Sequence, residues 1–118
     1  MKTKLVEIEN YLEVNCSDSL NLQDCMKLVE DIRKYNSVHP EINKILIDLY
    51  KTVGNLSIIE RHTLGKMIAE GNKLLKTAVY YRKEEINKLL ENTVVNRGGS
   101  IFVSDSRDLA LKWLLNNE

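Results

Sequence analysis

Apolar residues recur at helical spacing along most of the chain, and the pattern is longest in residues 57–92, which contain no proline. This stretch opens with Ser57-Ile58-Ile59-Glu60, a capping box in which a serine oxygen and a glutamate carboxylate each accept a backbone N–H. An apolar stripe follows at spacings of three, four and seven residues, which predicts one long helix. Gly71 leaves a second interpretation open, in which two helices meet at this glycine.

Three shorter segments before this stretch are also predicted to be helices. Residues 3–14 place leucine and isoleucine on one side and glutamate on the other. Asn21 is expected to cap a second helix, in which Cys25 is a small core residue and not a reactive thiol. Residues 40–53 have the most continuous apolar face of the three, and Gly54 is expected to end that helix in a left-handed conformation. We expect these helices to pack on the long stretch.

The pattern changes after residue 92. Val94-Val95 and Ile101-Phe102-Val103 flank the turn residues 96–100, which predicts a short β-hairpin or strand-like segment over residues 93–103. Asp105 or Ser106 then caps a last helix. The expected fold is therefore mainly α: one domain over residues 1–118, with five or six helices built on the long helix 57–92.

Composition narrows the setting of this domain. The chain has 118 residues, of which 43% are apolar, and only two cysteines. It shows neither a signal-peptide pattern nor an apolar run long enough to cross a membrane, so we expect a cytoplasmic protein that does not bind membranes. Frequent lysine, asparagine and isoleucine have AT-rich codons, which suggests a low-GC bacterium or one of its phages or plasmids.

Charge is balanced overall but unevenly distributed. Residues 1–50 carry nine acidic and six basic side chains, whereas residues 51–100 carry five acidic and nine basic ones. We therefore expect a small regulatory protein whose basic face binds an acidic surface on another protein. The alternative is a DNA-binding transcriptional regulator that uses residues 61–97, with a helix-turn-helix drawn over residues 41–70. The predicted partner-binding residues are Lys73, Lys76, Arg82, Lys83 and Lys88.

The length of the predicted helix also favours a homodimer. A helix of about 35 residues spans roughly 50 Å, longer than a compact domain of this size, so it would overhang its own core. An apolar stripe on the overhang would need a second copy to cover it. The predicted dimer interface consists of Leu75, Val79, Tyr80, Ile86 and Leu89.

Motifs for catalysis, cofactors or metals are scarce. His39 and His62 are the only histidines, and neither has a metal-ligand spacing to a second ligand, so we expect no metal, no cofactor and no enzyme activity. One short segment gives a further alternative. Residues 33–39, an arginine followed after five residues by a histidine, resemble the motif of the HEPN ribonucleases. That resemblance implies an all-helical fold in which Arg33 and His39 act on RNA phosphate.

Overall fold

The computed structural model describes residues 1–71, 75–86, 92, 94–95 and 97–116. Within these residues, five strands form one sheet in the order β1-β2-β3-β4-β5, in which β1 is antiparallel to β2 and the other neighbours are parallel. The strands are β1 (Lys2–Ile8), β2 (Tyr11–Ser19), β3 (Lys44–Val53), β4 (Lys76–Tyr80) and β5 (Ser100–Ser104). The helices are α1 (Leu22–Val38), α2 (Ile58–Ala69) and α3 (Arg107–Leu115), with a 3-10 turn at Lys83–Glu85.

Helices lie on both faces of the sheet. On one face, α1 and α2 pack against side chains from β2, β3, β4 and β5, and on the other face α3 packs against the centre of the sheet. The first side of the core includes Leu12, Val14, Ile45, Val79 and Ile101 with Leu28, Ile32 and Leu64 of the helices. The α3 side is smaller and consists of Leu46, Ala78, Ala110 and Leu114.

The expectation of a mainly α fold is wrong in the front half of the chain. Residues 3–14 form β1 and part of β2, joined by a turn at Glu9 and Asn10, and residues 44–53 form β3. Alternate residues of β2 are buried from Leu12 onwards, which is the two-residue period of a strand. The amino half of β3 is covered on both faces, so Ile45, Leu46 and Ile47 form a continuous apolar run whose period does not distinguish strand from helix.

The predictions of a long helix over residues 57–92 and of a hairpin over residues 93–103 are also wrong. α2 ends at Ala69, and residues 76–80 form a central strand between β3 and β5. β5 pairs in parallel with β4, so it is not one arm of a hairpin, and Val94 and Val95 have helical backbone. The helix-turn-helix over residues 41–70 is wrong for the same reason, because its first helix is β3.

Local signals at helix starts were predicted correctly. The side chain of Asn21 caps α1 by accepting from the Asp24 N–H at 2.9 Å, and Ser106 caps α3 in the same way. Gly54 has the expected positive φ of 90°, although it follows a strand instead of a helix. Cys25 is buried in the core, as predicted. These features depend on residues within one turn of each other, so the wrong helix assignments did not affect them.

Candidate functional site

The carboxyl ends of β2, β3, β4 and β5 lie along one edge of the sheet, because these strands run parallel. The helices α1, α2 and α3 each follow a strand at this edge. Open α/β sheets commonly bind their ligands and partners outside the carboxyl ends of the strands. The segment that connects β3 to α2 is the most exposed apolar part of this edge.

We call residues 53–59 the docking loop, because three large apolar side chains project from it into solvent. Val53 is 68% exposed, Ile58 70% and Ile59 78%. Single exposed apolar residues are common on protein surfaces, but a cluster within seven residues is typical of an interaction site. Neither isoleucine contributes to the core clusters, so folding alone does not explain why they are apolar.

A buried arginine holds the docking loop from behind. Arg61 is only 8% exposed; its Nε donates to the Leu56 carbonyl at 3.1 Å and its Nη2 donates to the Glu85 carbonyl at 2.9 Å. Nη2 also donates to the side-chain oxygen of Asn55. The amide nitrogen of Asn55 in turn donates to the Glu85 carboxylate. One guanidinium thus joins α2, the docking loop and the segment after β4.

Two neighbouring residues, Tyr81 and Arg82, hold the β3 end of the loop. The Tyr81 hydroxyl donates to the Gly54 carbonyl at 3.1 Å, and burial raises the pKa of Tyr81, so it stays protonated and able to donate. The guanidinium of Arg82 donates to the carbonyls of Tyr50 at 2.7 Å and Thr52 at 2.6 Å. The last residues of β3 and the glycine after them are therefore tied to the end of β4.

The capping box completes the loop at its helical end. The Glu60 N–H donates to Ser57 Oγ at 3.2 Å, and the Ser57 N–H donates to the Glu60 carboxylate at 2.9 Å. Ile58 and Ile59 are the two positions between these residues, so their backbone is fixed while their side chains stay exposed. Such preorganisation lowers the entropy cost of binding a partner.

Solved structures share this architecture. A crystal structure of an anti-sigma factor antagonist from Mycobacterium paratuberculosis matches with a TM-score of 0.67 at 13% identity, over 98% of this chain and 94% of that chain. An uncharacterized protein of the DUF3478 family with a SpoIIAA-like fold, from Shewanella loihica PV-4, matches with a TM-score of 0.58 at 18% identity, over 96% and 92%. The chain has a SpoIIAA-like fold. No family model and no curated protein matches it.

The SpoIIAA-like fold separates the predicted partner-binding lysines. Lys76 lies at the amino end of β4, where its ammonium group donates to the Trp113 and Asn116 carbonyls and sits 4.5 Å from the centre of the Trp113 ring. Arg82 and Lys83 lie beyond the opposite end of β4, next to the docking loop. The prediction of a single basic helix face is therefore wrong. Contact with an acidic partner stays a prediction for Arg82 and Lys83. Lys73 and Lys88 lie outside the described residues.

The predicted dimer residues are also placed differently. Val79 is 4% exposed inside the core, and Leu75 and Ile86 pack partly buried against the core clusters. Tyr80 stacks on Tyr50 at 5.0 Å on the α3 face of the sheet. Leu89 lies outside the described residues. The argument for a dimer required an overhanging helix, which is absent because α2 ends at Ala69; the homodimer itself stays a prediction.

The structure does not support the one catalytic alternative, a HEPN-like ribonuclease. The all-helical fold implied by the HEPN resemblance is wrong, and the Arg33 guanidinium donates to the Met67 carbonyl and to Glu30. His39 ends α1 and contacts the Tyr35 ring with 4.6 Å between centroids. Among the described residues, no group of three or more His, Cys, Asp or Glu side chains is arranged to hold a metal ion. In the same part of the chain, none of the helices is long and apolar enough to cross a membrane.

Sequence reasoning missed the docking loop, although one signal was present. Ile58 and Ile59 directly follow the capping serine, in the first turn of α2 and ahead of Leu64, the first apolar residue of its buried stripe. The bond between Asn55 and Glu85 joins residues 30 apart and has no signal in the sequence. It could be found only from the tertiary structure.

Proposed function

We propose that this protein is a regulatory protein that acts by binding another protein through the docking loop, without catalysis. The observation that carries the proposal is the exposure of Val53, Ile58 and Ile59 on a backbone fixed by Arg61, Asn55 and Tyr81. Interface hot spots are a few side chains that carry most of the binding energy, and a preorganised backbone lowers the cost of using them. The docking loop has this arrangement.

An anti-sigma factor is the partner class we propose to test first. One structural neighbour is described as an anti-sigma factor antagonist, and it covers nearly the whole chain. The loop itself calls for a partner surface with an apolar centre. Lys83 and Glu84 are both exposed in the 3-10 turn whose Glu85 is hydrogen-bonded to Asn55, so the partner rim that faces this turn should carry charges of both signs, with an acidic group opposite Lys83.

The double variant Ile58→Ser/Ile59→Ser tests the loop. Titration calorimetry against the anti-sigma factors of the source organism should show a loss of affinity of at least about thirtyfold, because two anchors of hot-spot size are removed. Both side chains are exposed, so the urea unfolding transition should change little. The matched control is Leu109→Ser, which removes an apolar side chain that is 54% exposed on α3.

The outcomes separate the two parts of the proposal. Equal loss of affinity in the double variant and in Leu109→Ser would refute the docking loop as the interface. Failure of the unmodified protein to bind any anti-sigma factor would refute the partner class. In that case, capture of a different protein that is lost in the double variant, but kept in the control, would retain the loop as a protein-binding surface.

A further inference from the structure

α3 covers only part of its face of the sheet. It packs on Leu46 and Ala78, and its first residue, Arg107, bonds to Glu13, so it lies over the amino halves of the strands. The carboxyl halves of β2 and β3 on this face have no helix over them within the described part of the chain, and β1 lies beside them. This open area is separate from the docking loop, which precedes α2 on the way to the other face.

Strand register places polar and basic side chains of the open area in two rows. Lys4, Asn15 and Asp48 are successive partners across β1, β2 and β3, and Tyr80 of β4 is the next partner of Asp48. Lys2, Ser17 and Lys51 form the second row. The register shifts between the rows, where two steps along β2 match three along β3. Such irregularities redirect side chains and recur near binding sites.

These rows line a shallow cavity of about 260 Å³ that contains three lysines and one carboxylate. Lys2, Lys4 and Lys51 are exposed, whereas Asn15, Ser17 and Asp48 on the cavity floor are partly buried. The ion pair of Lys2 with Asp18 is 3.6 Å long and its lysine side chain is 84% exposed, so it contributes little and does not prevent Lys2 from binding an anion. The rim is therefore cationic, and the floor combines the Asp48 carboxylate, which only accepts hydrogen bonds, with amide and hydroxyl groups that both donate and accept.

A pair of tyrosines lies next to the cavity. The rings of Tyr50 and Tyr80 are stacked with 5.0 Å between centroids and 8° between planes. Tyr50 is 49% exposed, so part of its ring is accessible to a ligand. Tyr50 follows Asp48 by two residues on β3, so the exposed ring lies within about 7 Å of the cavity floor along the strand.

We propose that this open area of the sheet binds single-stranded RNA. The three lysines would contact phosphates, and an exposed aromatic ring on a sheet surface is a platform on which an unpaired base stacks. The floor distinguishes RNA from a purely anionic ligand, because the Asp48 carboxylate repels phosphate but accepts from a ribose 2′-hydroxyl. An acidic peptide would explain the lysines, but neither Asp48 nor the exposed tyrosine. The proposal does not depend on the proposed function.

Fluorescence anisotropy with a labelled ten-nucleotide RNA tests this site in the full chain. Tyr50→Ala should weaken binding by about five- to a hundredfold, the range for losing one stacked base. Lys2→Gln/Lys4→Gln/Lys51→Gln should reduce the slope of log affinity against log salt by about two, because each phosphate contact on a single strand contributes about 0.7. Single-stranded DNA of the same sequence should bind more weakly than RNA, and Asp48→Asn should reduce that difference.

A control variant and a competing acidic peptide make the result decisive. Lys34→Gln/Lys112→Gln removes two exposed lysines from α1 and α3, away from the open area, and should leave RNA binding unchanged. An equal loss in this control would show non-specific attraction and overturn the proposal. So would the absence of an anisotropy change at 100-fold excess protein in low salt, or tighter binding of a polyglutamate peptide than of RNA. Circular dichroism of each variant shows whether it is folded, and an unfolded Tyr50→Ala would be replaced by Tyr50→Leu, which keeps an apolar contact with the Tyr80 ring but cannot stack on a base.

Discussion

Arg61 is the residue on which the rigidity of the docking loop depends, so Arg61→Met should be strongly destabilising. Its guanidinium is buried and donates to Leu56, Glu85 and Asn55. Each hydrogen bond from a charged donor contributes about 1.5–3 kcal/mol, and the methionine variant leaves two partly buried carbonyls without this donor. Part of this loss is offset because a charged group no longer has to be buried. The free energy of unfolding should therefore fall by about 3–5 kcal/mol.

Urea unfolding followed by the fluorescence of Trp113, the single tryptophan, measures this change. The matched control is Arg33→Met, because Arg33 also bonds a carbonyl of α2 but has a side chain that is 31% exposed. Solvent weakens its contacts, so the control should lose only about 1–2 kcal/mol. A loss below about 1 kcal/mol in Arg61→Met, or one no larger than in the control, would refute the view that Arg61 holds the loop.

Three further predictions concern the core and its titratable groups. Leu46→Ala should lower the free energy of unfolding by about 2–5 kcal/mol, because Leu46 is fully buried under α3. Leu109→Ala, on the exposed side of α3, should change this free energy little, and equal effects of the two variants in urea titrations would contradict the observed core. Burial raises the pKa of Cys16 to about 12 and that of Cys25 to about 11, so alkylation of both thiols at pH 8 should be slow until the protein is unfolded. Rapid alkylation of the native protein, detected by mass spectrometry, would contradict this. The amino group of Met1 donates to the Asp24 carboxylate and lowers its pKa, so this contact stabilises the fold above about pH 4 and is lost as pH falls through the lowered pKa. The difference in unfolding free energy between the unmodified protein and Asp24→Asn should therefore disappear in acid.

The sequence alone determined the local structure at helix ends. Asn21 caps α1 and Ser57 starts α2 with both bonds of a capping box. Gly54 has the left-handed conformation expected of a glycine after an apolar run. The requirement in each case is a side chain or a backbone angle within four residues, so no knowledge of the fold was needed. Cys25 was also placed correctly, because its helix was.

The tertiary structure decided whether the apolar segments became strands or helices. Residues 45–47 of β3 and 77–79 of β4 lie in the middle of the sheet and are covered on both faces, so their apolar runs carry no two-residue period. In residues 3–14 the leucines and isoleucines have a helical spacing, yet the edge strand β1 obtains its hydrogen bonds from β2. Pairing with a neighbouring strand overrode a local preference that was only weak.

The candidate site depended still more on tertiary structure. The isoleucines of the docking loop are visible in the sequence, but their exposure follows from the position of α2 on the sheet. Arg61 and Glu85 are joined across 24 residues, and Lys4, Asn15 and Asp48 share a row only because three strands have a particular register. Sequence therefore determined which residues were available for binding. The pairing of strands determined which of them lie together, because contacts between distant residues depend on the fold and not on local spacing.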